Sequence, residues 1–109
     1  DQLNTVIEPQ AFVRYFAPDI PTHDARVLAA VQHPTAFGIL SEAAGEPGWR
    51  TIPSYYQISL EDQVIDPRLQ RMFADRMDAH TIELRASHVS LISRPKQVTG
   101  LIERAASAR

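Results

Sequence analysis

A chain of 109 residues, 44% of them apolar, fits one domain or part of one, and is too hydrophobic for a disordered segment. Its formal net charge is −2 with both signs interspersed, so no electrostatic pull toward nucleic acid or an acidic membrane surface is expected. The lack of cysteine excludes disulfides, cysteine-ligated zinc and thiol catalysis and agrees with a cytoplasmic home. No apolar run approaches the roughly 18 residues of a membrane span. The N-terminal DQLNTVIEPQ lacks the basic and apolar regions of a signal peptide. It also lacks a starting methionine, which points to a start further upstream.

Residues 1–50 read as three short helices broken by prolines. Phe12, Val13 and Phe16 lie at helical spacing behind Pro9, a residue suited to a first turn, and Pro18 and Pro21 stop the pattern. Thr22 is the expected N-cap of a second helix, with Asp24 in its first turn and Val27, Leu28 and Val31 as its apolar stripe. Pro34 ends it. Thr35 is the expected cap of a third helix carrying Phe37, Leu40, Ala43 and Ala44, with Gly45 as its stop. A turn at EPGW, Glu46 to Trp49, follows.

The pattern changes at Thr51. Ile52, Tyr55, Tyr56 and Ile58 form a nearly continuous apolar run, as in a strand covered on both faces. Asp66 and Pro67 are an N-cap and first residue for a helix with Leu69, Met72, Phe73 and Met77 inward. His80 to Arg85 alternates, with Ile82 and Leu84 on one face, as in a strand near a sheet edge. Pro95 opens a last helix with Val98, Leu101, Ile102, Ala105 and Ala106 inward. The order strand, helix, strand, helix predicts an α/β unit with two parallel strands and a right-handed crossover. Two parallel strands leave one edge open, which implies further strands from a missing N-terminal part or a second copy of the chain on the edge at Tyr55 to Ser59.

Asp62 ends the first strand and His88 follows the second, 26 residues later. One crossover brings two such positions side by side, the arrangement of an acid and base that activate a nucleophile. IPSYYQISLEDQVIDPRLQRMFADRM followed by ASHVSLISRPKQVTGLI resembles the C-terminal third to half of an α/β-hydrolase. The closest flavour is the small esterase-like group that includes methyl-ester hydrolases. The resemblance implies a partial α/β-hydrolase fold, with residues 1–50 as a remnant of the helical cap and residues 51–109 as the C-terminal βαβα part of the core. It further implies that Asp62, in the pair Glu61-Asp62, is the triad acid and His88, in the pair Ser87-His88, the triad base. The family places its serine on a G-x-S-x-G elbow upstream of both. None of the glycines, Gly38, Gly45, Gly48 and Gly100, flanks a serine in that way, so no nucleophile is expected in this chain.

The chain alone is therefore expected to be inactive, and its intact parent to hydrolyse a small-molecule carboxylic ester without a cofactor. The alternative is a non-catalytic module that dimerises through its open strand edge. Ser87 adjoins His88, but neighbours on an extended chain point apart; Ser54, Ser59, Ser90 and Ser93 read as caps and turns. His23, His33 and His80 lack metal-ligand spacing. Phe12, Phe16, Phe37 and Trp49 suit core packing or the wall of an acyl pocket. Tyr55 and Tyr56 suit the sheet core, and Arg68, Arg71 and Arg76 a solvated helix face.

Overall fold

A computed structural model describes residues 4–108. In chain order these form β1 (Asn4–Thr5), α1 (Pro9–Ala11), a π-helical turn (Phe12–Phe16), α2 (Thr22–Val31), β2 (Thr35–Ala36) and two 3-10 turns (Phe37–Ser41 and Gly48–Arg50). There follow β3 (Tyr55–Ser59), α3 (Pro67–Arg76), β4 (His80–Leu84), α4 (Ser90–Ser93) and α5 (Pro95–Ser107). The chain is mixed α/β with two small sheets. β3 and β4 pair in parallel from Tyr55↔His80 to Ser59↔Leu84. The pairing runs on past the strand ends, since Leu60 N–H donates to Leu84 O and Glu61 N–H to Ala86 O.

Period-two alternation puts Tyr56 and Gln57 on opposite faces of the pair. Tyr56 shares a cleft with Phe73 of α3. Gln57 accepts a hydrogen bond from the Ser90 hydroxyl of α4. Helices therefore lie on both sides of the strands. α3 begins where local chemistry dictates: Asp66 accepts the Arg68 N–H at 2.8 Å, and Pro67 needs no donor in the first turn. The Arg68 guanidinium also grips this exposed carboxylate, and its hydrogen bonds lower the Asp66 pKa to about 2. Arg71 reaches Glu83 of β4 at 2.8 Å.

α3 ends in a Schellman motif, in which Ala79 N–H donates to Ala74 O and Asp78 N–H to Asp75 O. Asp78 takes the left-handed conformation this requires, with φ 48°. Glycine adopts it without a Cβ penalty, and removing the carboxylate takes a negative charge from the negative end of the helix dipole. Asp78→Gly is expected to raise stability by about 0.5–1 kcal/mol, read as a higher urea midpoint at unchanged slope.

Residues 4–50 depart from three clean helices. Only α2 is a full helix, and it begins one residue early: Pro21 O accepts the Ala25 N–H, so Thr22 is already helical and caps nothing. Ala25 and Ala29 form its buried side with Leu28 half-buried, while Val27 and Val31 face outward. Thr35 is not a helix cap, because it pairs antiparallel with Thr5 in a two-residue ladder. Gln32 prepares that ladder, its side-chain amide both accepting the Ile7 N–H and donating to Ile7 O as a neighbouring strand would. The expected third helix shrinks to the 3-10 turn at Phe37–Ser41, well short of Gly45.

Further on, Ile52 lies outside β3 and is exposed, because its N–H is drawn back to Gly48 O by the preceding 3-10 turn. In α3 the buried residues are Gln70 and Ala74, while Leu69 and Met72 face outward. In α5 Leu101 is buried and Ile102 exposed.

The main apolar core joins Phe12, Ala17, Ile20, Ala25 and Ala29 to Val89, with Val13, Phe16 and Leu28 packed against it. Five of its six buried members come from the first thirty residues, and the sixth follows His88 directly. The accessible surface is 8256 Å², against about 6,100 Å² for a compact chain of 12.2 kDa. The radius of gyration, 15.7 Å, likewise exceeds the about 13 Å of a compact domain of this length.

Candidate functional site

Asp62 and His88, separated by 26 residues, meet at 2.9 Å between Oδ2 and Nδ1. Asp62 sits in the loop that leaves β3, and His88 in the turn that leaves β4. Parallel strands in register put both loops at the same end of the sheet.

The Asp62 loop is built around its own carboxylate. Oδ1 accepts the backbone N–H groups of Val64 at 2.8 Å and Ile65 at 3.0 Å, closing the turn before α3. Oδ2 accepts from Gln70 Nε2 at 2.9 Å beside the histidine. Gln70 is the buried joint of the assembly. Its Oε1 accepts the Ser59 N–H at 2.9 Å, and its Nε2 also donates to Ile65 O at 2.7 Å. Strand end, loop and helix are thereby locked to one carboxylate. The Asp62 side chain is only 4% exposed, and the His88 side chain 27%.

The network fixes the tautomer of the histidine. Ionised, Asp62 offers only acceptors, so Nδ1 must carry the proton that lies between the two groups. In a neutral imidazole Nε2 then holds a free lone pair. Among the described residues Nε2 makes no hydrogen bond. The Phe16 ring packs against the imidazole, with centroids 4.6 Å apart and planes at 58°. Burial, and next to it the Asp62 carboxylate, push the Tyr56 phenol above its ordinary pKa.

Ser54, Ser59, Ser87 and Ser90 are engaged away from His88. The Ser87 hydroxyl donates to Asp19, and the residue is 1% exposed. Ser90 donates to Gln57, Ser59 accepts from Gln57 Nε2 at 2.9 Å, and Ser54 donates to Ile52 O. The buried Ser93 hydroxyl has no hydrogen-bond partner of ordinary geometry among the described residues. Among the described residues no serine hydroxyl hydrogen-bonds to His88.

Phe12, Phe16, Phe37 and Trp49 separate into different places. Phe12 is core, and Phe16 stacks on Phe12 and packs tilted against His88. Phe37 is exposed at the rim of an apolar cleft of about 410 Å³ that Phe12 and Phe16 also line. Trp49 lies in another cleft, of about 560 Å³, with Tyr56, Phe73 and Met77, and Arg50 and Arg76 stand over its ring at 5.8 and 5.7 Å. The ring of His80 packs on Tyr55 at 4.9 Å. Among the described residues no three His, Asp or Glu side chains converge as a metal site would need, and no helix is long and apolar enough to cross a membrane.

Two residues of the site escape the sequence pattern. Gln70 looks like one more polar residue of an amphipathic helix, and only the side of α3 that turns inward reveals it. Asp19 lies 68 residues before Ser87, and no local signal links them. Comparison with models of known protein families returned no match, and comparison with curated proteins returned none either.

Proposed function

We propose that this chain carries the acid and the base of a serine hydrolase of the α/β-hydrolase type, acting on carboxylic esters. The observation that carries the reading is the Asp62–His88 hydrogen bond at 2.9 Å through Nδ1, which leaves Nε2 available. In this reading His88 Nε2 takes the proton of a serine hydroxyl as that oxygen attacks the ester carbonyl. It then returns the proton to the departing alkoxide, and the acyl-enzyme is cleared by a water activated in the same way. Asp62 holds the tautomer and stabilises the imidazolium. The serine and the oxyanion donors come from polypeptide outside these 109 residues, joined to them or bound to them.

The test is an ester assay in two forms. The chain alone is expected to show no turnover of an activated short-chain ester above that of free imidazole. The polypeptide that includes the flanking coding sequence is expected to hydrolyse the ester, with His88→Ala lowering kcat/KM by about 10³-fold or more. Ester turnover by the isolated chain that is lost in His88→Ala overturns the division of labour. A joined polypeptide that lacks a serine elbow, or whose activity ignores His88, overturns the hydrolase reading.

A second reading, a module that self-associates, has its own support. β3 pairs only with β4 among the described residues, leaving its other edge open. The excess surface and outward residues such as Leu69, Met72 and Ile102 need a cover. Sedimentation over a range of concentrations decides it: a growing dimer fraction supports a second copy on the edge, and a monomer at high concentration removes it.

A further inference from the structure

We infer that Asp19 is a positioning residue for the His88 imidazole, acting through Ser87. The inference rests on the reading of His88 as the base, and it assigns the early helical segment a part in that site. The Asp19 carboxylate accepts the Ser87 backbone N–H at 2.8 Å through Oδ2 and the Ser87 hydroxyl through Oδ1. Both donors of one residue are taken by one carboxylate, a fork that fixes the direction of the chain as well as its place. The next residue, His88, lies against Phe16, three residues before Asp19. The one after, Val89, is buried among Phe12, Ala17, Ile20, Ala25 and Ala29. Three consecutive residues of the base-carrying turn are therefore seated on the segment from Phe12 to Ala29.

The electrostatics agree with a permanent anchor. Burial works to raise the Asp19 pKa, but the hydrogen bonds from the Ser87 hydroxyl and backbone N–H work against it, and the carboxyl lies below its ordinary value. It is held as a carboxylate at neutral pH. Asp62 by contrast touches His88 directly and governs which nitrogen bears the proton. Asp62 grips the ring at Nδ1, and Asp19 aims the ring by holding the backbone beside it. Loss of Asp19 should leave Asp62 in place and let the imidazole swing away from it.

The readout is the imidazole itself, followed in the purified chain by proton and nitrogen NMR. The unmodified protein is expected to show a slowly exchanging Nδ1–H resonance for His88 and nitrogen shifts of the Nδ1–H tautomer. Asp19→Ala is expected to lose that resonance and shift the tautomer toward Nε2–H while the amide spectrum of β3 and β4 persists. Asp19→Asn keeps an acceptor for the Ser87 N–H and should restore part of the signal, and Ser87→Ala, which keeps the backbone bond, should do the same. A resonance of unmodified strength in whichever of the three variants fold overturns the inference, as does its absence from the unmodified protein. Failure of the ester assay with an intact, Asp19-dependent resonance counts against the hydrolase reading and not against the clamp.

Discussion

Asp62→Ala is expected to lower the stability of the chain by about 3 kcal/mol, the largest loss from any single change at the site. Four donors converge on the Asp62 carboxylate: Val64 N–H, Ile65 N–H, Gln70 Nε2 and His88 Nδ1. They do not all suffer equally. The loop amides and the part-exposed imidazole can recover water, whereas the buried Gln70 amide loses an acceptor that water reaches poorly. The sum is a few kcal/mol rather than four full penalties. It is still a large share of the about 5–15 kcal/mol that holds an ordinary domain. Asp62→Asn keeps the loop acceptor at Oδ1 but turns an amide donor toward two other donors, so about half that loss is expected. Urea unfolding with a common slope checks both values.

Gln70→Leu is expected to cost about 2–3 kcal/mol despite similar volume. The substitution isolates polarity from packing. Ser59 N–H loses its acceptor, and Ile65 O and Asp62 Oδ2 lose a donor, all at a nearly closed joint. A buried glutamine in this place also holds the end of β3 to the start of α3. Amide exchange at Ser59 should therefore quicken far more than at Tyr56 in the same strand. A Leu variant as stable as the parent, with Ser59 still protected, would mean that the loop closes around Asp62 without this side chain.

What the sequence discloses follows from how local each determinant is. Asp66-Pro67 and Pro95 announce α3 and α5 because caps and first-turn prolines act within a few residues. The parallel pairing of β3 and β4 follows from one helix between two apolar runs, and the meeting of Asp62 with His88 follows from that pairing. The first half resists reading for the opposite reason. Thr35 would cap a helix if Gln32 did not hold Ile7 in strand geometry, a contact 25 residues long. The stripe Val27, Leu28 and Val31 looks like a buried face, yet Ala25 and Ala29 are the residues that allow close packing, so two of the three larger side chains turn outward. In α3 the same inversion hides Gln70. Hydrophobic spacing locates a helix well, but it names the inward face only when one packing surface exists.

The π-helical turn at Phe12–Phe16 has a bearing on how this chain tolerates insertions and deletions. Ala17 N–H reaches back to Phe12 O, five residues, so the turn holds one residue more than an α-helical turn closed by a four-residue span. Removal of one residue there lets the backbone relax to ordinary α-helix, with no break in hydrogen bonding to betray the change. Four α-helical steps of about 100° sweep nearly the same arc as the five smaller steps of the π turn, so the later residues of the segment keep nearly their present direction. Phe16 would still face the imidazole, and Asp19 would still reach Ser87. A single-residue gap between Phe12 and Phe16 is therefore the one length change in this segment that leaves the seat of His88 intact.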